Sequence, residues 1–158
     1  MRRRTVCRMA YEPLYLAYLV YFNRDRDYFE CHEVLEELWL AQERDPLYKA
    51  LLQVAVGLYH FRNGNVRGAT IMMDRAHGAL RTYPDEILGI DLAKLVREAG
   101  IYAEQLNAYA AHPFPYYDLT IDIMDPALAE EVKLAAAGIT PNQPQRRGPK
   151  RPDKAHRK

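Results

Sequence analysis

DPLYKALLQVAVGLYHFRNG (residues 45–64) carries a start signal, a stop signal and very little that is polar between them. Asp45 can cap a helix, and Pro46 suits the first helical position, where a missing N–H costs nothing. Leu47, Ala50, Leu51, Leu52, Val54, Ala55, Val56, Leu58, Tyr59 and Phe61 then leave almost no polar face. A helix that is apolar nearly all round is buried on several sides. The spacing therefore predicts the central helix of a bundle. Asn63-Gly64-Asn65 reads as a tight turn, with Gly64 as a left-handed cap and Asn65 as the cap of the next helix.

The same signals recur outward in both directions. Upstream, Asp27 caps a helix with Glu30 three residues later, and Tyr28, Cys31, Leu35, Leu38 and Trp39 form one face up to about residue 42. A shorter helix opens at Glu12-Pro13, carries Leu14, Ala17, Tyr18 and Tyr21, and stops around Phe22 or Asn23. Downstream, Ala69, Met72, Met73, Ala76, Leu80 and Tyr83 mark a fourth helix ended by Pro84. Asp91 opens a fifth, with Leu92, Leu95, Val96, Ala99, Tyr102, Ala103 and Leu106 as its stripe. Residues 116–123 alternate weakly. A lone strand has nothing to pair with, so they read as an extended wrap. Asp125-Pro126 starts a short helix to about residue 137. The expected fold is all-α: a single bundle of about five main helices over residues 1–139, with a C-terminal wrap.

Residues 140–158 form a separate, Pro-rich tail. The net charge of +1 hides an asymmetry. From Pro141 onward seven bases face one acid, Asp153, so the tail carries +6 and the remainder −5. The tail lacks the apolar residues to order itself, so it reads as a disordered, solubilising end. Its bases could contact an acidic partner or nucleic acid, without aromatic residues to stack on bases. The two cysteines, Cys7 and Cys31, fit reduced thiols, with Cys31 packed as a small apolar residue. No apolar run is long enough to cross a bilayer, and Arg8 and Glu12 interrupt any signal-peptide stretch after Arg2, Arg3 and Arg4. The expectation is a cytoplasmic protein with no membrane partner.

The chemistry-bearing residues are few. The sequence contains no serine, which excludes a serine hydrolase. It contains no Gly-rich phosphate loop or dinucleotide fingerprint. In the second helix, CHEVLEELW, a wheel at roughly 100° per residue puts His32 and Glu36 inside the apolar arc. Tyr28 and Trp39 bound them on one side, and Phe29 and Leu40 on the other; Glu33 sits at the edge. In the third helix Lys49, Gln53 and His60 lie on one narrow polar stripe. If that stripe faces the second helix, then His32, Glu36, Gln53 and His60 meet in a buried polar cluster, because buried polar groups need partners.

Phe29, Glu30, His32, Glu33, Glu36, Trp39, Gln53, His60, Gly64, Asn65, Gly68 and Ala69 make a pattern over three helices. In it the chain resembles the bacterial and archaeal domain-of-unknown-function family numbered 309, over roughly residues 11–109. Asn23-Arg24-Asp25-Arg26-Asp27 departs from that family's glycine-containing turn. The resemblance implies an all-α bundle and no agreed activity.

The simplest function is therefore a structural or interaction module with a buried polar cluster of His32, Glu33, Glu36, Trp39, Gln53 and His60, without a cofactor. It would pair with a second copy or another protein. Trp39 and the Met72-Met73 pair read as core residues. The rival is a metal-assisted or acid–base enzyme. His32 and Glu36 at i, i+4, completed by His60, could chelate a divalent metal. Alternatively Glu33 or Glu36 beside His32 could move a proton on a small substrate. HEVLE is not the HExxH of zinc proteases, because Glu36 stands in place of the second histidine.

Overall fold

Each cap read from the sequence is made. In the computed structural model, which describes residues 11–141, α1 covers Pro13–Val20, α2 Tyr28–Ala41, α3 Pro46–Arg62 and α4 Val66–Leu80. The strands β1 (Glu86–Ile87) and β2 (Ile90–Asp91) follow, then α5 (Leu92–Asn107) and α6 (Pro126–Gly138). Asp27 accepts from the Glu30 N–H, Asp45 from Leu47, Asn65 from Gly68, Asp91 from Lys94 and Asp125 from Ala127, at 2.9–3.1 Å. Each bond satisfies a donor that the first helical turn leaves without an intrahelical partner. Gly64 takes φ +84° between α3 and α4.

The fold is all-α with α3 at its centre. Leu51, Val54, Ala55 and Leu58 of α3 are fully enclosed, between α2 on one side and α4 on the other. α5 covers α4, while α1 packs on α2 and α6. Cys31 is a free thiol buried in this core, as expected. Among the described residues, no helix is long and apolar enough to cross a membrane. Cys7 and the basic tail from residue 142 lie outside the described residues.

Two features differ from the expected outline. The first helical stretch does not stop at Phe22 or Asn23. It widens into a π-helical turn, Tyr21–Asp25, and ends at Arg26 in the left-handed region, φ 54°. The Asp27 N–H then donates to the Tyr21 carbonyl at 2.9 Å. This turn aims three side chains at the C-terminal segment. Asn23 Nδ2 donates to the Ile121 carbonyl at 2.8 Å, and Asn23 Oδ1 accepts from the Ile121 N–H at 2.9 Å. Arg26 donates to the Leu119 carbonyl, and Arg24 to the carbonyls of Ala136 and Ile139.

The second difference lies in the strands. Residues 116–123 are the extended wrap that was expected, with Leu119 and Ile121 buried beneath it. They do find a pairing partner, however. β1 and β2 form a small antiparallel hairpin, and Ile90 bridges to Ile123. The alternation of the wrap could not reveal this, because its partner is distant in sequence.

Candidate functional site

On α2, Tyr28, Cys31, Leu35 and Leu38 are buried to 1% exposure or less. The neighbouring i, i+4 row, His32, Glu36 and Leu40, faces outward. The His32 and Glu36 side chains are 36% and 49% exposed, and Leu40 is 51% exposed. The expected buried cluster is thus corrected. The apolar arc of α2 is wider than the groove its neighbours offer, and the core takes only the Tyr28–Leu38 side of it.

The polar stripe of α3 does face α2. Lys49 Nζ lies 5.2 Å from the centre of the Trp39 ring, which Arg44 also covers at 5.1 Å. Trp39 is only partly buried at the edge of the core, and its indole N–H is enclosed without a hydrogen-bond partner. Met73 is a core residue as expected, while Met72 is half-buried. Gln53 is buried.

At the other end of the stripe, His32 and His60 meet across a cavity of about 320 Å³. Tyr28, Phe29 and His32 of α2 line it, together with Val56, Tyr59 and His60 of α3. Gln53 and Glu36 are not among its walls, so the four residues expected to meet do so only in part. Phe29 touches Tyr59 with ring centres 6.0 Å apart, and His32 at 6.4 Å; Tyr59 and His60 are also 6.0 Å apart. The sequence reading missed Phe29 and Val56 as partners of the histidines. The signal was present: Phe29 precedes His32 by three residues and Val56 precedes His60 by four, so each pair shares a helical row.

The α3–α4 turn positions His60. The His60 carbonyl accepts from the N–H groups of Asn63 and Asn65. Asn65 Nδ2 stands 3.4 Å from His60 Nδ1 while its Oδ1 caps α4. Gly68 leaves room for the ring, because a Cβ there would lie 3.0 Å from His60 Cδ2. Burial, and then the neighbouring His32, lower the His60 pKa below its ordinary 6.5. An unfolded chain therefore takes up this proton at higher pH than the folded one. Stability from His60 is complete above about 6.5 and declines as pH falls from there through the lower folded value. Urea midpoints measured from about pH 7 down to about pH 5 should decline more steeply for the unsubstituted protein than for His60→Gln. Equal slopes would show that His60 titrates as a free side chain.

His32 is bracketed by carboxylates. Its Nδ1 lies 3.5 Å from Glu33 and its Nε2 3.6 Å from Glu36. One ligand atom from each of these three residues lies within 4.8 Å of the others. An ion could be held by His32 Nε2 and Glu36 at i, i+4, while Glu33 orients the ring from its other nitrogen. His60 does not belong to this group.

The family model described as "Domain of unknown function (DUF309)" matches residues 15–72, which include every wall of the cavity. The chain is 33% identical over 129 residues to the uncharacterized protein YpuF of Bacillus subtilis (strain 168), covering 78% of this chain and 72% of YpuF. It is 29% identical over 72 residues to an uncharacterized protein of Aquifex aeolicus (strain VF5), covering 44% of this chain and 22% of that one. No solved structure matches it.

Proposed function

The chain belongs to the DUF309 family, and for it we propose a binding role, in which the cavity between α2 and α3 receives a small ligand or a side chain of a partner protein. One observation carries this reading: a concave, largely apolar space of about 320 Å³ ends at two imidazoles. Ligand sites combine apolar walls with a few placed polar groups in this way, and the volume is at the small end of their range. The walls stand on helices anchored in the core by Cys31, Leu35, Val54 and Leu58, so the site is held by rigid elements. Titrating ¹⁵N-labelled protein with 2-phenylethanol should shift amide signals of α2 and α3 around the cavity. Val56→Trp, which fills the space, should abolish those shifts while leaving a cooperative melting transition. Shifts scattered over the surface, or none, would reject the cavity as a site.

A second reading is favoured by the convergence of His32, Glu33 and Glu36 within 4.8 Å. There a divalent ion bound by His32 and Glu36 would stand beside the cavity and polarise a ligand in it, with the neutral His60 ring on the opposite wall. Calorimetric titration with Zn²⁺ should then show one site that Glu36→Gln removes. Equal heats for both proteins would discard this reading.

A further inference from the structure

We propose that the ligand of this cavity is an organic ammonium cation, an aromatic or branched apolar body that carries a protonated amine. The inference rests on the cavity being a binding site and names the class of ligand it takes.

The charges around the cavity select the sign. Two carboxylates bracket the wall residue His32, at 3.5 and 3.6 Å. The group His32, Glu33 and Glu36 is net negative in either protonation state of the imidazole. α2 as a whole carries Glu30, Glu33, Glu36 and Glu37 and no lysine or arginine. All four lie on a helix only ~20 Å long, so a cation at the cavity mouth lies within about a Debye length of several of them. The basic residues of α3 are turned to other tasks. Lys49 lies over Trp39, and the Arg62 guanidinium sits 4.7 Å from the centre of the Tyr28 ring while donating to the Arg26 carbonyl. An anionic ligand would approach the two carboxylates that stand behind His32, while of the α3 bases Lys49 lies over Trp39 and Arg62 over the Tyr28 ring.

The walls select the rest. Phe29 and Tyr59 offer aromatic surface that attracts a cation placed over it, Tyr28 being already covered on one face by Arg62. His60, whose pKa burial lowers, is uncharged at neutral pH and adds no positive charge to this wall. A bare inorganic cation would lose its hydration against such walls without replacement, whereas an apolar body fills them.

Three probes of similar shape separate this inference from the reading beneath it: phenethylammonium, 2-phenylethanol and 3-phenylpropionate. Each is titrated into the full chain at low ionic strength and followed by amide shifts. The ammonium should bind about tenfold more tightly than the alcohol, as a cation over aromatic rings beside carboxylates gains roughly that factor. The carboxylate should bind more weakly than the alcohol. Added salt should narrow the preference. Glu33→Gln with Glu36→Gln, on the outward side of α2, should bring the ammonium to within about twofold of the alcohol; Glu36→Gln alone should move it in the same direction. Alcohol and ammonium binding equally, or the carboxylate binding best, would overturn the inference and leave the cavity as a site. No cavity shift with any probe would overturn both.

Discussion

Gly89→Ala should lower the free energy of unfolding by about 3 kcal/mol, through a strained backbone and an overfilled contact together. Gly89 has φ +76°, which an L side chain adopts only at a cost. A Cβ there would stand 2.8 Å from Leu128 Cδ2, 2.8 Å from the Tyr11 hydroxyl oxygen and 3.2 Å from Asp125 Cβ. Of these, Leu128 is the one that cannot retreat cheaply. Leu128 is fully buried. Tyr11 donates to Asp125 at 2.5 Å, a bond that pushes the tyrosine pKa up to about 12 and holds the carboxylate below its ordinary value. The Gly89 carbonyl also accepts from the N–H groups of Met124 and Asp125. The new methyl group would therefore press apart the junction of the hairpin, residue 11 and the start of α6. Urea-unfolding curves measure the loss. Leu128→Ala in the Gly89→Ala background should cost less than it does alone, because it opens space for the methyl group. A loss below about 1 kcal/mol would mean that α6 shifts aside freely and is not firmly docked.

Asn23→Ala is expected to cost about 2–4 kcal/mol, since it strands both backbone groups of one buried residue. Ile121 is 1% exposed, and both its N–H and its carbonyl are paired with the Asn23 amide across 98 residues of sequence. No other hydrogen bond to these two groups is seen among the described residues. Asn23→Asp gives the sharper comparison. It keeps the acceptor for the Ile121 N–H but places a carboxylate opposite the Ile121 carbonyl, so at neutral pH it should destabilise at least as much as alanine and recover on acidification. The loss should be accompanied by faster proteolytic cleavage within residues 116–123, because the wrap depends on this anchor and on Arg26. Unchanged cleavage would show that Leu119 and Ile121 hold the wrap by packing alone.

The histidines show where sequence reading reaches its limit. Periodicity placed His32 and Glu36 inside the apolar arc of α2 and gathered Lys49, Gln53 and His60 on one stripe of α3, which would meet them if it faced α2. The stripe does face α2, where Lys49 meets Trp39 and His60 meets His32 across the cavity, but Glu36 points outward. Depth is what failed. A helical wheel gives angles about one axis, whereas burial depends on how far the neighbouring helix covers the arc. Here the cover ends between Tyr28 and His32, and the row His32, Glu36, Leu40 is left outside.

The amino-acid sequence by itself determined the helices, their caps, the Asn63-Gly64-Asn65 turn and the central position of α3. These are set by interactions within about four residues, which adjacent side chains encode directly. Only the tertiary structure decided the π-helical turn at Tyr21–Asp25, the Ile90–Ile123 bridge and the open cavity between two imidazoles. Each depends on partners brought together by packing from far along the chain, and nothing in a local spacing specifies which surfaces packing will cover.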